Sequence, residues 1–361
     1  MELHLTSEQA LLRDSATKFV AAAGPKVAHG LRGRVPSFAP ARLRQAGELG
    51  WLGMLVPSSV GGLGLGLAEL ALVLEQAGRG LICEPIGLAI IATAALAQGH
   101  APHPILRSAM LGDALVVPAL QESAHDPVAL RTQATGDRAP RLTGTKMSVC
   151  ADGADGFLVS ARGSDGPALY YVARDSAGVS VMAAPTVDGR TLATVELKDA
   201  PADLVPARQS SRSAVEALTD LALIALSAEL LGVMEGAQEL TFEYLRIRKQ
   251  FGKPIGSFQA LQHKAVDIYI KTETVRSLLY QVAAANDPYR IDPALAVALK
   301  AKTSEEALAV TQTCIQLHGA IGFTDEHGIG LYLKRAMLLS SLFGNAASQR
   351  RRYIELTEMT V

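Results

Sequence analysis

The apolar positions follow one pattern at both ends of the chain and a different one in the middle. Up to about residue 114, and again beyond residue 207, they recur at the three- and four-residue spacing of amphipathic helices. Between residues 115 and 207, short apolar runs alternate with turn residues, which is typical of β-strands. We therefore predict an α+β multidomain fold with an N-terminal helical domain at residues 1–114, a central antiparallel β-domain at 115–207 and a C-terminal four-helix bundle at 208–361.

A basic break interrupts the C-terminal helical pattern at residues 246–256, RIRKQFGKPIG. Pro254 and two glycines end one helix there and allow the next one to begin. The break also holds four cations and one aromatic side chain. This combination suits a diphosphate ligand, because arginine donates two parallel hydrogen bonds and an aromatic ring offers a stacking face. A solvated connection between two helices explains the same residues, and from the pattern alone it is the commoner case.

The bulk composition argues against several classes of protein. A formal net charge of -1 gives no sign of a nucleic-acid binder. Cys83, Cys150 and Cys314 are scattered and lack metal-ligand spacing, so we expect reduced thiols, no bound metal and a cytoplasmic location. The apolar run at residues 86–97 is too short to cross a bilayer, so we expect no membrane association.

Two motifs in the C-terminal part resemble those of a known family. Residues 248–259, RKQFGKPIGSFQ, resemble a signature of the acyl-CoA dehydrogenase family, and residues 316–323, QLHGAIGF, resemble its Q-x-x-G-G-x-G-[FY] segment. LTGTK at residues 142–146 resembles part of its central domain. The motifs stand in the family's order, and the resemblance covers nearly the whole chain. It implies that an acyl-CoA thioester is oxidised to its 2,3-enoyl form with FAD as the cofactor.

The resemblance assigns eight residues to FAD: Arg248, Phe251, Gln316, Gly319, Ala320, Ser148, Val149 and Cys150. The first five belong to the diphosphate and adenine end, where Ala320 replaces the family's second glycine, and the last three belong to the strand beside the flavin ring. Asp220 matches a residue that contacts the CoA part, although a helix-capping or exposed role fits it equally well. The family's T-E-P-x-A-G-S-D loop is replaced here by LQESAHD at residues 120–126.

The catalytic base of the family is missing from both of its usual places. In one subgroup a glutamate near the C-terminus takes the proton, and that position is Phe343 here. In another subgroup the glutamate lies on an earlier core helix, and that position is Ala222. Neither side chain can accept a proton. Glu229 lies seven residues after Ala222 in an apolar helix, on the same face, and is our candidate base. A buried structural glutamate, satisfied by a neighbour, is the alternative.

Three functions are compatible with these residues. The first is an FAD-dependent acyl-CoA dehydrogenase that uses an unusual base. The second is a non-catalytic partner subunit of a heteromeric acyl-CoA dehydrogenase, and the missing carboxylates motivate it. The third is a flavin-dependent monooxygenase on the same scaffold, which uses O₂ and needs no such base. We expect an acyl-CoA substrate and an oligomer, formed either with copies of this chain or with another acyl-CoA dehydrogenase chain.

Overall fold

The computed structural model describes residues 5–98, 103–123, 129–136, 138–206 and 213–358. In this part of the chain, six α-helices come first: α1 (Ser7–Val20), α2 (Pro25–Leu31), α3 (Pro40–Glu48), α4 (Leu67–Arg79), α5 (Ile86–Leu96) and α6 (Leu106–Leu111). Eight strands form the central sheet of the described residues: β1 (Val116–Ala119), β2 (Gln133–Thr135), β3 (Arg141–Val149), β4 (Gly156–Gly163), β5 (Gly166–Ala173), β6 (Val179–Pro185), β7 (Thr191–Pro201) and β8 (Asp203–Val205). The final described stretch, 213–358, contains these elements: α7 (Ala214–Ile247), β9 (Lys249–Gln250), β10 (Lys253–Pro254), α8 (Gln259–Ala285), α9 (Pro293–His318), α10 (Ile329–Ser341) and α11 (Ala346–Glu358).

Local sequence signals explain where three of the helices begin. Thr6 accepts a hydrogen bond from the backbone amide of Gln9 at 3.2 Å, and Ser213 accepts one from the amide of Glu216 at 3.3 Å. In both cases the third residue of the helix bonds back to the cap, so α1 and α7 each begin with a capping box. Asp292 caps the N-terminus of α9.

The central sheet confirms the predicted β-domain and adds one feature to it. Its strand order is β6-β7-β3-β2-β4-β5-β8, mostly antiparallel, and β1 joins β4 in parallel with Val117 opposite Phe157. Because β1 enters the sheet from α6 and not through a hairpin, it is free to run parallel to its neighbour. All four of its residues are buried, as is typical of a strand covered on both faces.

The C-terminal helices pack together as predicted, with one addition. α7, α8, α9 and α10 form the bundle, and α11 packs on α9 as a fifth helix. α7 also packs against α4 and α5 of the N-terminal domain. It is the helix in the described residues that is long and apolar enough to cross a membrane, but 89% of its most apolar window is buried inside the fold. α7 is therefore the core helix around which both helical parts are built.

The predicted domain boundaries can be compared with the element order. The first, at residues 114 and 115, lies between α6 and β1. The second, at residues 207 and 208, lies outside the described residues. Both boundaries stay predictions.

Two glycines bring the backbones of α4 and α7 into direct contact. A Cβ atom placed on Gly232 would lie 1.8 Å from the carbonyl oxygen of Glu75, and one placed on Gly78 would lie 1.9 Å from the carbonyl oxygen of Glu229. No side-chain atom fits at either distance. The contact therefore requires glycine on both helices, and it fixes α7 against the N-terminal domain.

A buried charge cluster joins the same two helices to α8. Arg276 on α8 bonds to Glu75 on α4 and to Glu235 on α7, and the hydroxyl of Tyr280 donates to Glu75 at 3.1 Å. Burial and the neighbouring charge of Glu75 raise the pKa of Glu235 to about 8, against the opposing effect of Arg276. Glu235 therefore keeps its proton to a higher pH than an ordinary glutamate does.

This protonated glutamate predicts a pH dependence of stability. The unfolded chain releases the proton above the ordinary glutamate pKa of about 4.3. The stability that the group contributes is therefore fully present below that value and is lost as the pH rises toward its folded pKa of about 8. We expect Glu235→Gln to remove this loss, because the amide keeps a hydrogen-bond donor for Glu75 and does not titrate.

Urea unfolding of both proteins at pH 5 and pH 8 measures this effect. The variant should be more stable than the wild type at pH 8, with a smaller difference at pH 5. The exposed Glu243→Gln is the matched control on the same helix and should keep the wild-type pH dependence. A Glu235→Gln protein that loses as much stability between the two pH values as the wild type would contradict the prediction.

Candidate functional site

The basic break forms a small hairpin that presents its side chains at the surface. α7 ends at Ile247, and β9 and β10 pair antiparallel around Phe251 and Gly252, both with positive φ. Phe251 is 92% exposed, and Arg248 and Lys249 beside it are exposed as well. An exposed phenyl ring with cationic residues beside it is the arrangement that a nucleotide diphosphate and its base would cover.

The second motif lies at the end of α9, close to the same end of α7. Gln316, Gly319 and Ala320 are exposed, and Gly319 adopts a positive φ of 66° that favours glycine. The buried ring of His318 stacks on Tyr244 with centroids 4.5 Å apart, so the last turns of α7 and α9 are packed together. Burial lowers the pKa of His318, and the ring serves as a packing group against Tyr244.

The third predicted segment lies at the end of β3, where the strand is irregular. Its register against β7 shifts between Lys146 and Val149, and Ser148 has a positive φ of 56°. Val149 is buried, whereas Cys150 is partly exposed at the edge. Burial raises the pKa of the Cys150 thiol to about 11, so it is protonated and uncharged at neutral pH. The bulge turns the backbone of Ser148 away from the regular ladder.

A network of four charged side chains lies next to this strand. Asp188 bonds to Arg190 at 2.9 Å and to Arg335 at 2.7 Å, and Glu229 lies 3.6 Å from Arg190 and 3.5 Å from Arg335. Arg335 also donates to the carbonyl oxygen of Ile82 at 2.7 Å. The network thus connects the β6–β7 turn, α7, α10 and the segment before α5. The charges of this network also influence the pKa of the Cys150 thiol.

Comparison with known proteins now identifies the family. The model for the acyl-CoA dehydrogenase N-terminal domain matches residues 6–107, and the model for the C-terminal domain matches residues 213–355. Acyl-CoA dehydrogenase FadE27 of Mycobacterium tuberculosis is 33% identical over 323 residues, which cover 84% of each chain. The chain belongs to the acyl-CoA dehydrogenase family. It is accordingly an oxidoreductase of the acyl-CoA dehydrogenase type, as its motifs predicted.

Solved structures agree with this assignment over the full length of the chain. A variant of the Tcur3481-Tcur3483 steroid ACAD superposes with a TM-score of 0.91 at 31% identity and covers 98% of both chains. The ChsE4-ChsE5 complex from Mycobacterium tuberculosis superposes with a TM-score of 0.89 at 29% identity and covers 100% of both. The three-part acyl-CoA dehydrogenase fold is therefore confirmed.

The two family positions for the base are apolar and enclosed in this chain. Ala222 lies inside α7 with no exposed surface, and the Phe343 side chain is buried in the connection between α10 and α11. Glu229, our candidate base, forms ion pairs with two arginines of the buried network. That environment supports the alternative interpretation, a structural carboxylate, because its charge is already neutralised by two guanidinium groups.

Asp220 is held inside the protein, away from any surface. It has no exposed area, and its carboxylate accepts a hydrogen bond from Arg352 on α11 at 3.1 Å. The geometry supports a role in fixing α11 to α7. Its assignment to CoA stays a prediction without structural support.

The start of the altered loop at residues 120–126 is anchored by a pair that pattern analysis missed. Glu122 bonds to the fully buried Lys146 and also accepts from the hydroxyl of Thr132 at 2.6 Å. Burial lowers the pKa of Lys146 to about 8, although Glu122 opposes this effect. Residues 124–126 of the loop lie outside the described residues. The lysine of LTGTK at residues 142–146 was the available signal, because a lysine that a strand buries requires a carboxylate partner.

Pattern analysis also missed Asp188, Arg190 and Arg335. Asp188 and Arg190 share the β6–β7 turn, whereas Arg335 comes from α10 far along the chain, and no spacing rule links it to them. Backbone geometry gives an independent sign of function. Among the described residues, five non-glycine residues have positive φ: Leu81, Ser148, Asp199, Phe251 and Phe343. Three of them occupy positions that the sequence had assigned to the site, and strained backbone is concentrated at functional sites.

Proposed function

We propose that this chain is one subunit of a heteromeric, FAD-dependent acyl-CoA dehydrogenase whose partner chain supplies the carboxylate base. The observation that carries the proposal is the state of the three positions considered for the base. Phe343 and Ala222 have no proton acceptor, and Glu229 is ion-paired with Arg190 and Arg335. A chain with the complete fold but without a free base at these three positions fits an assembly in which another chain completes the active site.

The relatives support a heteromeric assembly. The ChsE4-ChsE5 structure is described as a complex of two named proteins, and the Tcur3481-Tcur3483 structure likewise carries two protein names. Both match this chain over nearly its whole length at about 30% identity, as the values of 29% and 31% show. We extend the same type of assembly to this chain. A cytoplasmic location is consistent with the free thiols of Cys83, Cys150 and Cys314.

The residues of this chain fit FAD at its diphosphate end. Arg248 would donate paired hydrogen bonds to the diphosphate, and the exposed Phe251 ring would cover the adenine. Gln316 and the backbone at Gly319 would hold the same end, across a subunit interface. When bound, FAD supplies the hydride acceptor for the acyl-CoA oxidation. Ser148, Val149 and Cys150 would line the flavin ring.

Arg248→Ala should weaken FAD retention. The substitution removes a charge-assisted contact to a diphosphate, which is worth about 1.5–3 kcal/mol, or roughly ten- to a hundredfold in affinity. The flavin content of the purified complex after dialysis, read from its absorbance, measures the loss. Arg246→Ala is the matched control, because that exposed arginine lies two residues earlier and outside the predicted contact. Equal flavin content in the two variants would count against the assignment.

Purification with and without a co-encoded acyl-CoA dehydrogenase chain tests the proposed function. We expect the two chains to co-purify with bound flavin, and we expect a panel of acyl-CoAs to bleach that flavin only in the complex. If this chain alone binds FAD and is reduced by an acyl-CoA, the heteromeric proposal is wrong. In that case Glu229→Gln should abolish the reduction, provided that Glu229 is the base.

A further inference from the structure

One carboxylate in the connection between α9 and α10, that of Asp325, is held by three cationic side chains. Arg32 NH1 donates to both of its oxygens at 2.9 Å, and His29 Nε2 donates to Oδ2 at 2.8 Å. Lys334 Nζ lies 3.7 Å from Oδ1. The hydrogen bonds from His29 and Arg32 lower the pKa of Asp325 to about 2, which favours its charged form. We call these four residues the Asp325 clasp.

Arg32 also connects the clasp to the central sheet. It follows α2 directly, and its stem lies on the β6–β7 turn, where a Cβ atom placed on Gly189 would lie 2.3 Å from Arg32 Cγ. Gly189 stands between Asp188 and Arg190 of the buried charge network, and its φ of 87° favours glycine as well. Arg32 therefore joins all three parts of the fold: it belongs to the first, packs on a turn of the second and binds Asp325 of the third.

The guanidinium group of Arg32 depends on Asp325 for its hydrogen bonds. Its side chain is 24% exposed, and its Nε and NH2 atoms are buried without an acceptor among the described residues. Within that part of the chain, only the bonds of NH1 to Asp325 compensate for the water that the buried side of the group has lost. We therefore expect Arg32 to leave its place on the turn when the carboxylate is removed.

The segment next to the clasp is the second motif that the sequence assigned to FAD. Asp325 follows Phe323, the last residue of that motif, by two positions. Residues 319–326 are exposed except for Gly322, and the Phe323 side chain is 80% exposed. A stretch with so little buried surface opens easily, because few apolar contacts hold it in one conformation. Its position is therefore set by its two ends: α9 before it and the Asp325 clasp after it.

We infer that Arg32 and Asp325 are positioning residues for FAD, which hold the motif at residues 316–323 in the conformation that binds the diphosphate and adenine end. The inference rests on the proposed function for its cofactor. Neither side chain contacts FAD in this role. The clasp instead raises the fraction of the protein in which the motif is ready to bind, and the affinity for FAD scales with that fraction. Through Arg32 it also fixes the motif relative to the β6–β7 turn.

Equilibrium binding of FAD by the purified complex tests the inference. Asp325→Asn keeps the shape of the side chain and removes its charge, and Arg32→Met keeps the stem on Gly189 and removes the guanidinium group. Each should weaken the affinity for FAD by roughly three- to tenfold, because several exposed ion pairs act together. The double variant should bind FAD about as weakly as either single variant, because both changes remove the same clasp. Asp325→Glu, which keeps a carboxylate, should restore most of the affinity.

Hydrogen exchange in the flavin-free complex is a second measurement, and it does not depend on FAD. The backbone amides of residues 319–324 should exchange roughly three- to tenfold faster in Asp325→Asn than in the wild type, because the opened segment is more populated. The amides of the buried helix α7 should keep their rates, since exposed ion pairs contribute little to global stability. Asp113→Asn is the matched control: it breaks an exposed ion pair with Arg44 and should change neither the exchange of this segment nor the affinity for FAD.

The outcomes separate the inference from the proposed function. A wild-type complex that binds no FAD would overturn the proposed function, and the inference with it. A wild-type complex that binds FAD no more tightly than Asp325→Asn does would overturn the inference alone. Weaker binding that comes with an equal loss of global stability in urea, or that Asp325→Glu fails to restore, would show a purely structural ion pair and would also overturn the positioning role.

Discussion

Asp188→Asn should lower the free energy of unfolding by about 3–5 kcal/mol, the cost of breaking a buried ion pair from one side. Asp188 is almost completely buried, and it is bonded to both Arg190 and Arg335. The amide keeps the shape of the carboxylate but removes its charge. Arg335, which is 1% exposed, then keeps its charge with only Glu229 at 3.5 Å to balance it. Urea unfolding at pH 7 measures the change.

The same substitution should remove an acid-sensitive part of the stability. Burial by itself raises the pKa of Asp188, but Arg190, Arg335 and the hydroxyl of Thr186 outweigh it and hold the pKa well below its usual range. A lowered folded pKa contributes stability that is present above the unfolded value of about 3.9 and is lost as the pH falls below it. The wild type should therefore lose more stability than the variant between pH 5 and pH 3.

An exposed ion pair provides the control for this prediction. Asp113 lies 3.2 Å from Arg44, and both side chains are more than half exposed, at 55% and 63%. Asp113→Asn should change the free energy of unfolding by less than about 1 kcal/mol, because water screens the pair. If Asp188→Asn is no more destabilising than Asp113→Asn, the buried network does not hold the three parts of the fold together.

Gly232→Ala should destabilise the protein strongly, although alanine is the better helix former. The new methyl group would lie 1.8 Å from the carbonyl oxygen of Glu75 and 2.7 Å from the amide nitrogen of Arg79, both backbone atoms of α4. α4 and α7 must therefore move apart, which opens the contact between the N-terminal domain and the bundle. Overpacking of this kind costs about 1–3 kcal/mol or more. The loss outweighs the gain of about 1 kcal/mol in helix propensity. Thermal and urea unfolding both report it.

Gly30→Ala is the matched control for this effect. Gly30 is an exposed helical glycine on α2, and a Cβ there would meet no atom within 4 Å. The same substitution should be neutral or stabilising by up to about 1 kcal/mol, because only the helix propensity changes. Destabilisation of both variants to the same extent would show that the α4–α7 contact is not the cause. A Gly232→Ala protein as stable as the wild type would contradict the close packing itself.

The sequence determined the fold class of this protein and predicted the surface end of its candidate site. Helical and strand periodicities differ in period, so the change from one to the other located the β-domain between two helical parts. The motif at residues 248–259 combines glycine and proline, which favour a turn, with basic and aromatic side chains. These local features are enough to predict a break such as the hairpin at Phe251. Local signals of this kind can be read from neighbouring residues, and the structure shows the hairpin where the pattern predicted a break.

The tertiary structure decided the role of the buried polar residues. Glu229 has the sequence environment of an isolated base, yet folding brings Arg190 and Arg335 to it from elements about 40 and 100 residues away, as their numbers show. Asp220 likewise meets Arg352 only through the packing of α11 on the fold. The partners of a buried charge are set by which helix faces meet, and that depends on close contacts such as Gly232 against Glu75. No pattern along the chain encodes such a meeting, because the energy of a buried charge depends on the atoms around it in space.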